Sequence, residues 1–187
     1  PPRSTLFPYT TLFRSGGVTV TGGEPLMQPE FVAELLRCCQ AAGLHTALDT
    51  SGFSDLGAAQ QVLPHTDLVL LDIKSFDRDL YQRVTHVSQE PTLRLANYLK
   101  EIQKPAWIRF VLVPGLTDPE NNVEGLAQFV STLTNVEWVE VLPFHQMGAY
   151  KWEALGYDYR LKDTTPPSQE QIKHVKALFQ QYGLNVR

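Results

Sequence analysis

The chain has 187 residues, 43% hydrophobic and 19% charged, a length and balance that accommodate one globular domain with a sizeable core. Its formal net charge of −4, with no basic run, excludes a nucleic-acid or anionic-membrane surface as the organising feature. No apolar stretch approaches the roughly 20 residues of a membrane helix, and the start lacks the charged-then-apolar layout of a secretory signal.

Residues 1–15 stand apart. Thr5-Leu6-Phe7 and Thr11-Leu12-Phe13 repeat one tripeptide around Pro8-Tyr9, with neither strand alternation nor a helical stripe. The segment reads as non-native, the translation of a sequencing adapter joined to a gene, with an ordinary apolar arm as the alternative. The functional domain is expected over residues 16–187.

Val18-Thr19-Val20-Thr21 then reads as a strand running into Gly22-Gly23, and Glu24-Pro25 ends it. Two adjacent glycines leave the main chain uncovered by any Cβ, so a ligand can approach it closely. Pro29 suits the first position of a helix, Phe31, Leu35, Cys38 and Ala42 form its apolar stripe, and Gly43 supplies the stop. Cys38 and Cys39 are adjacent, and neighbouring helical positions point about 100° apart. That suits two buried small hydrophobes in a reducing, cytoplasmic setting better than a disulfide.

His45-Thr46-Ala47-Leu48 is the next strand, ending at Asp49-Thr50-Ser51-Gly52, and a short helix follows over residues 55–63. Leu68-Val69-Leu70-Leu71 is continuously apolar, the mark of a strand buried on both faces, and ends at Asp72-Ile73-Lys74. After a helix over residues 91–104, the strand Trp107-Ile108-Arg109-Phe110-Val111-Leu112-Val113 ends at Pro114-Gly115. Asp118-Pro119-Glu120 caps a helix striped by Val123, Leu126, Ala127, Val130 and Leu133. A fifth strand over residues 136–142 ends at Pro143-Phe144-His145.

Residues 146–167 form a long loop carrying Tyr150, Trp152, Tyr157 and Tyr159. Connections beyond about 12–15 residues are usually functional or disordered, and the aromatic content predicts a packed lid. Ser168 and Gln171 make a capping box for a last helix striped by Ile172, Val175, Phe179 and Tyr182, and residues 184–187 add a short tail strand.

Five β-α units with short links imply an α/β fold with parallel strands, in which ligands sit at the carboxyl ends of the strands. Those ends carry Gly22, Gly23 and Glu24, then Asp49 and Thr50, Asp72 and Lys74, Pro114 and Gly115, and His145. Asp49 either opens a turn with Ser51-Gly52 or belongs to the site. Asp72 and Lys74 share a face by the two-residue period, as an ion pair or as ligand contacts. Lys74 is also a candidate Schiff-base amine, and His145 a satisfied rim histidine or a contact. Arg109 anchors an acid from the lid or clamps a substrate carboxylate.

The segments Thr21-Gly22-Gly23-Glu24-Pro25, Leu48-Asp49-Thr50-Ser51-Gly52, Leu71-Asp72-Ile73-Lys74, Trp107-Ile108-Arg109 and Leu142-Pro143-Phe144-His145, in this order, resemble the pyruvate formate-lyase activating enzymes, a glycyl-radical-generating family of the radical S-adenosylmethionine (SAM) enzymes. The resemblance runs from about Gly16 to the C-terminus and includes Lys151-Trp152 and Pro166-Pro167. It implies a partial (β/α) barrel of the radical SAM type, here lacking its first strand and cluster loop. It also implies an oxidoreductase of anaerobic metabolism that cleaves S-adenosylmethionine reductively to a 5′-deoxyadenosyl radical and places a glycyl radical on pyruvate formate-lyase. The implied cofactors are S-adenosylmethionine and a [4Fe–4S] cluster, with a flavodoxin-type protein as electron donor.

By the same resemblance, Gly22, Gly23 and Glu24 receive the methionyl amino group, and Asp72, Ile73, Lys74 and His145 contact the carboxylate and ribose. Asp49, Thr50, the carbonyl of Leu70 and Asp72 hold a monovalent cation, and Arg109 lies near the peptide substrate. The family's Cys-x-x-x-Cys-x-x-Cys motif is not in this sequence, and Cys38-Cys39 does not replace it. The expectation is therefore an N-terminally truncated chain, inactive as it stands. The rival readings are a Schiff-base (β/α)-barrel aldolase using Lys74 and a non-catalytic S-adenosylmethionine-binding fragment.

Overall fold

The computed structural model of the chain describes residues 16–187, so the reading of residues 1–15 lies outside the described residues. The strands are β1 (Gly17–Val20), β2 (His45–Thr50), β3 (Leu68–Asp72), β4 (Ala106–Leu112) and β5 (Val136–Pro143), and they follow one another in a sheet of order β1-β2-β3-β4-β5. The helices between and after them are α1 (Pro29–Ala41), α2 (Leu56–Val62), α3 (Arg78–Thr85), α4 (Glu90–Glu101), α5 (Glu120–Ser131), α6 (Ala149–Ala154) and α7 (Gln169–Gln181). This is the α/β arrangement that alternating strand and helix signals predict. No helix among the described residues is long and apolar enough to cross a membrane.

The chain divides into two compact units, one holding residues up to Asp72 with Glu90–Trp107, the other Ile73–Gln89 with Ile108–Arg187. In the first, β1 and β3 flank β2 in parallel, with Gly17 opposite His45 and Asp49 opposite Leu70. A Cβ on Gly17 would sit 2.6 Å from the His45 carbonyl oxygen, so only glycine lets β1 start at this separation. The Val69 N–H donates to the Pro105 carbonyl at 3.0 Å, which sets the start of β4 beside β3. Leu36, Leu48, Val62, Val69 and Leu71 are fully buried here, each stabilising by about 1.5–3 kcal/mol.

In the second unit the Ile73 N–H donates to the Arg109 carbonyl, and the Phe144 N–H to the Leu112 carbonyl. Ile108, Phe110 and Leu112 of β4 are buried, Phe110 packing edge-on against Phe179 of α7 at 5.9 Å. Trp107, Arg109 and Val111 alternate onto the other, half-exposed face. The α5 stripe is buried as expected, and Ser168 and Gln171 form the expected capping box on α7. The tail pairs as one parallel bridge, Val186 with Val139.

Several expectations need correction. The buried face of α1 is Val32 and Leu36, while Phe31 is 64% exposed and Cys38 is exposed. Both registers are apolar at four-residue spacing, so periodicity cannot choose between them. The Cys38 thiol lies 3.6 Å from Glu34 Oε1 on the outer face, and Cys39 is half-buried, so neither is a core hydrophobe. In β3, Val69 and Leu71 are buried while Leu68, Leu70 and Asp72 are half-exposed, giving one packed and one partly open face. Asp118 does not cap α5; the N-cap is Pro119, with no side-chain hydrogen bond. Helix α3 was not read from the sequence, although Leu80, Tyr81 and Val84 share one side of it and Asp77 starts it by accepting from the Leu80 N–H at 2.7 Å.

Candidate functional site

The first unit builds its strand tips around one carboxylate. Gly22 (φ +95°) and Gly23 (φ +55°) take left-handed conformations, and a Cβ on either would meet nothing within 4 Å. The turn is therefore both glycine-specific and open. Glu24, next in the chain, turns its side chain back into the protein. Its Oε1 accepts from the Leu26 N–H at 3.1 Å and from the Thr50 hydroxyl at 2.5 Å. Its Oε2 accepts from the Ser51 N–H at 2.9 Å and the Ser51 hydroxyl at 2.6 Å.

These bonds tie the tip of β1 to the tip of β2 across 26 and 27 residues of sequence. With four donors already on it, the Glu24 carboxylate has its acceptor sites filled, and the groups the turn offers outward are the main-chain ones of Gly22 and Gly23. The β2 tip is held from behind as well. Buried Thr92 of α4 donates to the Ser51 carbonyl at 2.6 Å. A Cβ on Gly52 (φ +72°) would come within 3.2 Å of the Thr92 backbone, so helix and turn touch at a glycine. Thr21 reaches Asp49 Oδ2 at 3.1 Å, and the β2–β3 register sets Asp49 opposite Leu70, with Thr50 opposite Leu71. Asp49, Thr50, Leu70 and Asp72 thus all belong to this unit, at the carboxyl ends of adjacent parallel strands.

Ile73, Lys74, Arg109 and His145 belong to the second unit. Lys74 is half-buried between fully buried Ile73 and Ser75. His145 follows the end of β5 and is exposed. Arg109 meets an acid of β5 rather than of the expected lid: its Nε lies 3.3 Å from Glu140 Oε2, and Arg187 reaches Glu140 Oε1 at 2.9 Å. In the aromatic excursion Trp152 packs against Tyr157 and Tyr159 and Gln146 donates to the carbonyls of Leu161 and Thr164, but Tyr150, Trp152 and Tyr157 stay exposed, so it is not the packed lid expected.

Sequence reading passed over Thr92, Glu140 and Asn122, and named Ser51 only as part of a turn. Asn122 had a signal, since it lies four residues before Leu126 on the stripe side of α5 and is 2% exposed.

An iron–sulfur cluster needs several thiolates around one cavity. Cys38 and Cys39 are adjacent on α1, and the Cys38 thiol is engaged by Glu34 and Arg37. Hydrogen bonding and charge from Arg37 hold the exposed Glu34 carboxyl down to about 2. Among the described residues, no three His, Cys, Asp or Glu side chains are grouped to hold a metal ion. These residues do not fit a cluster. The open glycine turn, with the Asp49 carboxylate held beside it by Thr21, does fit a cationic small molecule whose ammonium needs main-chain acceptors.

Residues 11–130 match the radical SAM superfamily. The chain is 40% identical over 173 residues to pyruvate formate-lyase 1-activating enzyme of Escherichia coli K12, covering 91% of this chain and 70% of that protein. It is 42% identical over 176 residues to pyruvate formate-lyase-activating enzyme of Staphylococcus aureus USA300, covering 90% and 70%. A crystal structure of a domain of pyruvate-formate lyase-activating enzyme from Bacteroides vulgatus superposes with a TM-score of 0.78 at 29% identity, covering 92% of this chain and 98% of the other.

Proposed function

The chain belongs to the radical SAM superfamily and, within it, to the pyruvate formate-lyase-activating enzymes, and from that premise we propose that its strand tips bind and orient S-adenosylmethionine for glycyl-radical activation of pyruvate formate-lyase. Enzymes of this family use S-adenosylmethionine and a [4Fe–4S] cluster. When bound, S-adenosylmethionine supplies the hydrogen-abstracting chemistry directed at a glycine of the partner enzyme. The observation that carries the proposal is the open Gly22-Gly23 turn, fastened by Glu24 to Thr50 and Ser51.

In this reading, residues 16–187 are the cofactor-binding domain. The main chain at Gly22, Gly23 and Glu24 receives the methionyl amino group, and the Glu24 carboxylate keeps the turn in place. Asp49, Thr50, the Leu70 carbonyl and Asp72 hold a monovalent cation; their all-oxygen chemistry suits a hard ion. Asp72, with Ile73, Lys74 and His145, serves the carboxylate and ribose. Arg109, which shares Glu140 with Arg187, serves the partner's peptide. A flavodoxin-type electron donor and a cytoplasmic setting belong to the same proposal, supported by the bacterial relatives and by two thiols that stay unpaired. The cluster finds no thiolate set in this chain, whose contribution is to the cofactor and the partner.

Calorimetric titration with S-adenosylmethionine tests the reading. Saturable binding is expected, weakened about tenfold by Asp49→Ala, the loss of one charge-assisted contact. Replacing potassium by choline weakens the parent protein but not the Asp49→Ala variant. A titration without saturable heat overturns the proposal. Electron paramagnetic resonance after anaerobic iron–sulfur reconstitution is expected to show no reducible [4Fe–4S] signal, with or without Cys38→Ser and Cys39→Ser. Its appearance overturns the cluster assignment.

A further inference from the structure

We infer that Asn122, on α5, is the positioning residue that sets the geometry of Lys74, a role that rests on Lys74 serving S-adenosylmethionine. The segment after β3 has no regular secondary structure until α3 begins at Arg78, and Lys74 sits within it. Its main chain is nevertheless fixed at both ends. Ahead of Lys74, the Ile73 N–H donates to the Arg109 carbonyl at 3.1 Å. Behind it, one side chain receives three donors: Asn122 Oδ1 accepts from the Ser75 hydroxyl at 2.7 Å, the Phe76 N–H at 2.8 Å and the Asp77 N–H at 2.9 Å.

The other half of the amide, Nδ2, donates to the Thr117 carbonyl at 2.8 Å. Two backbone N–H groups on one side and a carbonyl on the other admit a single orientation of the amide. Thr117 is itself locked, its hydroxyl donating to the Val111 carbonyl and accepting from the Val113 N–H, each at 2.8 Å. Asn122 therefore transmits the position of the β4 end to the Lys74 segment.

Packing reinforces the clamp. Phe76 stacks on Phe129 at 5.5 Å and lies where a Cβ on Gly125 would approach its ring to 2.8 Å. Ser75 is fully buried and Asn122 nearly so, which makes each of these hydrogen bonds expensive to leave unmade. The backbone beneath a lysine sets where its flexible four-carbon stem starts and which way it leaves the chain. Here that backbone is held ahead of Lys74 by the Arg109 carbonyl and behind it by the Asn122 amide.

The test combines exchange and binding. Asn122→Leu keeps the volume and removes every hydrogen bond, whereas Asn122→Asp keeps the acceptor for Ser75, Phe76 and Asp77 and turns the donor to Thr117 into a second carboxylate oxygen. Hydrogen exchange of the Phe76 and Asp77 amides is expected to quicken at least about tenfold in Asn122→Leu and much less in Asn122→Asp. In calorimetric titrations with S-adenosylmethionine, Lys74→Ala and Asn122→Leu are each expected to weaken binding about tenfold. The double variant should lose no more than about twofold beyond Lys74→Ala, because the second substitution has nothing left to position. Asn122→Asp should recover most of the affinity.

Unchanged exchange at Phe76 and Asp77 overturns the clamp itself, whatever the ligand does. Two losses that multiply in the double variant show Asn122 acting other than through Lys74 and overturn the inference. Wild-type affinity in Lys74→Ala overturns the cofactor role assigned to Lys74, and with it the inference, while the exchange data still report on the clamp. Should Asn122→Leu fail to fold, Asn122→Asp paired with Ser75→Ala gives the same comparison. Full additivity of that pair with Lys74→Ala then counts against the positioning role.

Discussion

Glu24→Ala is the perturbation that most directly probes the strand tips. The substitution removes a half-buried carboxylate that accepts from the Leu26 N–H, the Thr50 hydroxyl, the Ser51 N–H and the Ser51 hydroxyl. Hydrogen bonds to a charged acceptor contribute about 1.5–3 kcal/mol each in favourable cases. The two hydroxyls can turn to water or to other acceptors, and the tips are partly exposed, so the four contributions do not add. The Ser51 and Leu26 N–H groups cannot turn away, and their loss sets an expected destabilisation of about 2–4 kcal/mol. Glu24→Gln retains one acceptor and presents an NH₂ to donors, for an intermediate loss of about 1–2 kcal/mol. Urea denaturation followed by circular dichroism reads both, provided the m-value is unchanged. A cycle with Ser51→Ala should show coupling of at least about 0.5 kcal/mol. If Glu24→Ala costs less than about 0.5 kcal/mol, within the range of ordinary surface substitutions, the carboxylate is not what fastens β1 to β2, and the reasoning fails.

Two further outcomes follow from groups away from the tips. Burial raises the pKa of Asp67, but hydrogen bonds from the Thr46 N–H, the Thr46 hydroxyl and the Gln40 amide outweigh it and leave the carboxyl below its ordinary 3.8. A depressed carboxyl stabilises the fold above its unfolded pKa, and that contribution is lost as pH falls below 3.8 through the folded value. Asp67→Asn should therefore destabilise by about 1–2 kcal/mol at pH 7 and progressively less below pH 4, read by denaturation across pH; a pH-independent gap would falsify the assignment. Gly125→Ala sets helix propensity, worth about 1 kcal/mol in its favour, against overpacking on Phe76, worth about 1–3 kcal/mol against it. It should lower stability in the parent and raise it in a Phe76→Ala background, and an increase in both would show that the ring yields without cost.

The order of strands and the residues at their ends were legible because both depend on local pattern. Period-two runs, glycine stops and capping residues sit within a few positions of one another, and β1 to β5 each end where those signals change. What was not legible depended on which of two equivalent local patterns the tertiary structure buried. The Val32 and Leu36 register of α1 and its rival at Phe31 and Leu35 look alike in sequence, and only the packing separates them. Helix α3 went unread although both local signals were there, the Asp77 cap and the Leu80-Tyr81-Val84 side.

The same division runs through the site, and it bears on how a glutamate after two glycines should be read. Position alone marked Glu24 as a ligand group, because a carboxylate beside an open turn looks available. Its partners lie 26 and 27 residues away, at Thr50 and Ser51, and no local signal announces them. With those partners in place the chemistry inverts: the side chain is spent inside the protein, and the main chain beside it is what faces outward. Asn122 repeats the pattern in the second unit, a buried amide 45 to 47 residues from the donors it fixes. In both cases the residue nearest the ligand in sequence owes its geometry to a polar side chain, satisfied by distant donors, that would not itself touch the ligand. A substitution that preserves the motif while unpairing Thr50, Ser51 or Asn122 should therefore loosen the site as surely as one within the motif.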